Sequence, residues 1–88
     1  MSEAQLIGSI FNYVRSNGEL VRQAKTSWGA DVWSHNNIWA SLEDDSCTQR
    51  VEADGFSLDV QNTCGRIKFV EGSRVNLQRL YDSIFKYK

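Results

Sequence analysis

The chain predicts one small α+β domain: an N-terminal helix, a four-stranded antiparallel meander and a C-terminal helix, with both helices on one sheet face. Three observations carry this. Apolar residues recur at three- and four-residue spacing near both ends, and they alternate with polar residues through the middle. The length of 88 residues allows a single core only, so residues 1–88 form one domain.

The first helix opens at Ser2-Glu3-Ala4-Gln5, a capping-box pattern in which serine accepts a backbone N–H and glutamine reaches back to the cap. Leu6, Ile7, Ile10, Phe11 and Val14 then form one apolar stripe, which Leu20, Val21 and Ala24 continue. Ser16-Asn17-Gly18-Glu19 interrupts it. A helix broken near residue 17, or two short helices, is therefore expected.

From Asp31 the period falls to two. Ile38, Ala40 and Leu42 alternate with Trp39, Ser41 and Glu43, and Phe56, Leu58 and Val60 alternate with Ser57, Asp59 and Gln61. Val51 with Ala53, and Ile67 with Phe69, complete four strands. Asp54-Gly55 signals a two-residue hairpin, because both positions of a type I′ turn need positive φ. That turn sets Val51 opposite Leu58 and Arg50 opposite Asp59. A four-residue loop at Asn62–Gly65 then sets Asp59 opposite Lys68, and a loop at Asp44–Cys47 sets Ala40 opposite Val51. Like faces like on both sides of this ribbon. Ser73 can cap the last helix, on which Leu77, Leu80, Tyr81, Ile84 and Phe85 share a face, while Lys86 and Lys88 suit its negative end.

The outline resembles a double-stranded-RNA-binding domain. Such domains carry a basic cluster at the start of their last helix, where Gly72-Ser73-Arg74-Val75-Asn76 holds one charge. No family is assigned.

Ten Lys and Arg against eleven Asp and Glu give a net charge of −1, without long runs of either sign. This disfavours a non-specific nucleic-acid binder, whose affinity comes from concentrated positive charge. No secretory signal or membrane-length apolar run is visible, so a cytoplasmic protein off the membrane is expected. Cys47 and Cys64 are then expected as reduced thiols, and the register above places Cys47 opposite Asn62. A domain this small also gains from a partner that buries more apolar surface, which allows a homodimer.

Motifs for catalysis are absent: there is no nucleophile elbow, phosphate loop, dinucleotide fingerprint or zinc helix. One histidine and two distant cysteines lack metal-ligand spacing. Neither enzyme activity, cofactor nor metal is expected. What stands out is Trp39 on a polar sheet face, in a row with Glu52, Ser57 and Val70, beside the charge row Ser41, Arg50, Asp59 and Lys68. These residues point to a small protein-interaction or inhibitory module binding through that face or an edge strand, with Trp39, Arg50, Asp59, Lys68 and Val70 as the contact residues. A nucleic-acid module using Trp39 with Arg50, Arg66 and Lys68 is the alternative. A small ligand-binding or enzymatic domain around His35, with Trp28, Trp33 and Asn36-Asn37 near it, is the second.

Overall fold

Residues 2–22, 30–43, 47–70 and 72–86 are described by a computed structural model. Helix α1 (Glu3–Asn17) starts as its capping box requires: Gln5 N–H donates to Ser2 Oγ at 3.2 Å, and Ser2 N–H donates to Gln5 Oε1 at 2.8 Å. Its stripe of Leu6, Ile7, Ile10, Phe11 and Val14 is buried throughout. The helix stops at Gly18, whose N–H still reaches the Val14 carbonyl at 2.8 Å.

No second helix follows directly. The chain turns into strand β1 (Glu19–Arg22), then β2 (Ala30–His35), β3 (Ile38–Glu43), β4 (Thr48–Ala53), β5 (Leu58–Thr63) and β6 (Arg66–Phe69), and ends in helix α2 (Arg74–Phe85). All six strands pair antiparallel in chain order. The four-strand expectation is thus corrected by two added strands. Leu20 and Val21 extend the helical spacing of α1, yet they are 49% and 56% exposed in β1, so they complete no buried stripe. Ala24 and Trp28 lie outside the described residues.

Gly18 shows how closely the end of α1 approaches the sheet. A Cβ there would lie 2.4 Å from the Ser34 carbonyl oxygen and 2.6 Å from that of Val14. The end of α1 thus sits directly against the backbone of β2, and only glycine leaves room.

The β3–β4 register is as expected, with Ala40 opposite Val51 and Ile38 opposite Ala53. The next two differ by two residues each. Val51 faces Val60, Ala53 faces Leu58, Arg50 faces Gln61, and Gln61 faces Lys68. Asp54-Gly55 does not form a two-residue hairpin; Asp54–Phe56 makes a 3₁₀ turn closed by Ser57 at φ 49°. The longer turn delivers Phe56 towards α2, where Arg79 lies over its ring at 6.0 Å, instead of into the sheet. Two-residue turns with positive φ at both central positions occur instead at Asn36-Asn37 and Cys64-Gly65.

Both helices pack on one face of the sheet. Ile38, Ala40, Val51, Ala53, Leu58 and Val60 meet the stripe of α1 and Leu77, Leu80 and Ile84 of α2 in one core, with Trp33, Leu42, Ile67 and Phe69 partly buried around it. Trp33 packs edge-on to Phe11 with centroids 6.0 Å apart. Ser73 is buried but does not cap α2 with its side chain; its Oγ donates its one proton between the carbonyls of Val70, at 2.6 Å, and Asp59, at 3.0 Å. Serine therefore fastens the start of α2 to the sheet. Arg74 ties the same end to α1 through Glu3 at 3.2 Å.

Cys47 and Cys64 are joined by a disulfide with Cα atoms 5.4 Å apart, which corrects the reduced-thiol expectation. The two-residue shift in register brings them directly opposite, and Cys64 N–H points to the Cys47 carbonyl at 3.4 Å. That Cα separation falls within normal disulfide geometry.

Two measurements check this frame. Gly18→Ala should cost about 1–3 kcal/mol, because the added methyl meets fixed backbone on both sides; an unchanged denaturation midpoint would refute the close contact of α1 and β2. The Cys47→Ser, Cys64→Ser double variant should lose about 3 kcal/mol relative to the oxidised protein, the loop-closure contribution of a bridge this far apart in sequence. Equal urea midpoints would show that the bridge contributes nothing.

Candidate functional site

The sheet face away from the helices carries a repeating polar pattern, and among the described residues no element covers it. Strand alternation puts Trp39, Ser41, Arg50, Glu52, Asp59, Gln61 and Lys68 there together. Val70 follows β6 and is 56% exposed; its N–H donates to the Asp59 carbonyl at 3.0 Å. All five expected contact residues, Trp39, Arg50, Asp59, Lys68 and Val70, therefore lie on one side of the sheet.

Their rows are rearranged. Trp39 stands opposite Ser34 on one side and Glu52 on the other, and Glu52 stands opposite Asp59. Arg50 stands between Ser41 and Gln61, with Lys68 beyond Gln61. Glu52 and Asp59 are thus neighbours in one row, and Arg50 reaches diagonally into it. Its Nε donates to Asp59 Oδ1 at 2.9 Å and a terminal nitrogen donates to Oδ2 at 2.6 Å, a two-pronged pairing that matches the planar guanidinium. Glu52 lies 3.2 Å from Nε.

The hydrogen bond to Asp59 holds the Arg50 pKa above its ordinary value; partial burial opposes the shift, and Glu52, Asp59 and Glu43 reinforce it. One cation thus answers two adjacent carboxylates. Sequence reasoning missed Glu52 as the second partner, although its position two residues from Arg50 on the same face was visible. Beside this cluster Trp39, Glu52, Asp54 and Ser57 border a shallow depression of about 200 Å³.

His35 sits on the helix side, opposite Ile38 in the β2–β3 ladder. Tyr13 meets it edge-on with centroids 5.3 Å apart, and Tyr13 Oη lies 3.2 Å from His35 Nε2. Asn36 Nδ2 is 3.3 Å from the same nitrogen. Next to this trio a cavity of about 310 Å³ opens where the Asn36-Asn37 turn, the Asp54–Phe56 turn and the end of α2 converge. Trp33 packs on the core and is not among the residues that line the cavity, and Trp28 lies outside the described residues. Tyr13, Phe56 and Ser83 line it instead, and no spacing in the sequence brings these three together.

Arg66 and Lys68, two of the three cations of the nucleic-acid alternative, lie exposed on edge strand β6. Arg50, the third, already has two carboxylate partners. Comparison with protein-family models, with curated proteins and with solved structures found no match. No helix among the described residues is long and apolar enough to cross a membrane.

Because the Arg50–Asp59 pair is only partly buried, its coupling energy should stay below about 1 kcal/mol in a double-mutant cycle with Arg50→Ala and Asp59→Ala. A coupling several times larger would make the cluster a stability element of the sheet.

Proposed function

We propose that this chain is a non-enzymatic protein-interaction module, and that a protein partner lies against the outer sheet face around Trp39. The single observation that carries the reading is the arrangement there: a tryptophan beside a carboxylate pair that is held by one bidentate arginine, on a sheet that among the described residues is layered on its other side only. Packing of the inner face accounts for the core without Trp39. A large aromatic group that the core does not use is a strong candidate anchor, since such side chains dominate binding energy at interfaces.

Arg50, Glu52 and Asp59 suit the role of selecting a partner. They are mutually satisfied in the free protein, so they stand preorganised and add little to stability, while a mismatched charge brought against them is costly. Lys68 and Val70 extend the surface to β6, the edge strand among the described residues, whose outer backbone row can also accept a strand. A homodimer through this face is one form of the same reading. The disulfide favours an oxidising compartment over the cytoplasm, since cytosolic thiols are kept reduced.

The test is affinity purification from the native source, identification of the captured protein and titration of the purified pair. Trp39→Ala should raise Kd at least about tenfold with little change in melting temperature, and Lys68→Glu should change the association rate more than the dissociation rate. Unchanged Kd for Trp39→Ala, or a collapse of its thermal stability, would remove the outer face from consideration.

A further inference from the structure

On the other side of the sheet, we infer that the cavity beside Tyr13 and Asn36 is a binding site for a small, neutral aromatic compound with an amide-like hydrogen-bonding edge. Its volume of about 310 Å³ is at the lower end for ligand sites, which span roughly 300–1,000 Å³, and so admits one or two rings. Among the described residues that line it, none carries a formal charge. An ionic ligand would therefore surrender its hydration for no counter-charge. Tyr13 and Phe56 supply aromatic surface and Ile84 an aliphatic one, while Asn36, Asn37 and Ser83 supply donors and acceptors. Few polar groups set in apolar walls is the pattern that orients a ligand.

The turn itself gives a second, independent observation. Asn36 and Asn37 both adopt positive φ, 51° and 63°. Glycine satisfies the second of these positions with no steric cost, and Asn-Gly is the favoured pair. This chain places a second asparagine there, at a residue that lines the cavity; asparagine tolerates the left-handed region, so the turn is kept and an amide donor and acceptor are added beside the cavity. Tyr13 Oη and Asn36 Nδ2 both lie within hydrogen-bond distance of His35 Nε2, at 3.2 and 3.3 Å, which places the two groups together at the cavity wall.

The site does not depend on the partner reading, because Trp39 lies on the opposite face. It can be tested by titrating the oxidised full chain with benzamide and, in parallel, with benzoate, its anionic counterpart, while following backbone amide NMR shifts. Benzamide at millimolar concentration should move the signals of Asn37, Phe56 and Ile84, and benzoate should not. Asn37→Gly, which suits the turn, should keep or raise the melting temperature and weaken benzamide roughly three- to tenfold, the effect of one hydrogen bond. Ser83→Leu should abolish binding by filling the cavity from the exposed side of α2. Trp39→Ala should bind benzamide like the wild type. No perturbation by benzamide, equal perturbation by benzoate, or wild-type affinity in Asn37→Gly would each overturn the assignment.

Discussion

The structure depends on how closely α1 lies on the middle of the sheet. Ala40, Val51 and Val60 run side by side across β3, β4 and β5, all fully buried and all short. Their size lets the bulkier Ile7, Ile10 and Phe11 of the helix fill the space between layers, so the interior reaches close packing from few residues. Gly18 is part of the same fit: where α1 ends, its backbone meets that of β2 with no side chain between. A chain of this length has one interior to build, and this helix covers its centre while α2 closes the β5 side.

That single-sided layering separates two kinds of residue. Side chains towards the helices are fixed by packing, and side chains on the far face are fixed by hydrogen bonds and ion pairs among themselves. Arg50, Glu52 and Asp59 form such a group. Trp39 is outside the buried core and, among the described residues, has no ring partner in the aromatic pairs that knit Phe11 to Trp33 or Tyr13 to Phe85, and this is what makes it informative.

The faces of β3 to β6 were legible in the sequence because alternation reports which side a residue occupies. It reports nothing about even shifts. A slip of two residues preserves every inside and outside assignment, so Val51 opposite Leu58 and Val51 opposite Val60 satisfy the pattern equally. Turn chemistry had to decide, and Asp54-Gly55 decided wrongly because Phe56 gains more by reaching α2. The second slip, at Cys64-Gly65, offsets the first, which is why Arg50 and Lys68 share a row in both registers. β1 and β2 were hidden for another reason. Leu20 and Val21 keep the helical period by coincidence, and the stop at Asn17-Gly18 allowed a kink as readily as an end. The far-face cluster was visible by residue type, whereas the cavity depends on Tyr13, Phe56 and Ser83, which meet only through tertiary packing.

The bridge between Cys47 and Cys64 turns β4, the 3₁₀ turn and β5 into a covalent ring with an exposed tip at Asp54-Gly55. A cut at that tip would leave both strands on the same molecule, each still tethered opposite its partner. The hairpin is thus a natural place for the chain to be opened, by a protease or by insertion of a foreign segment, without its two halves drifting apart.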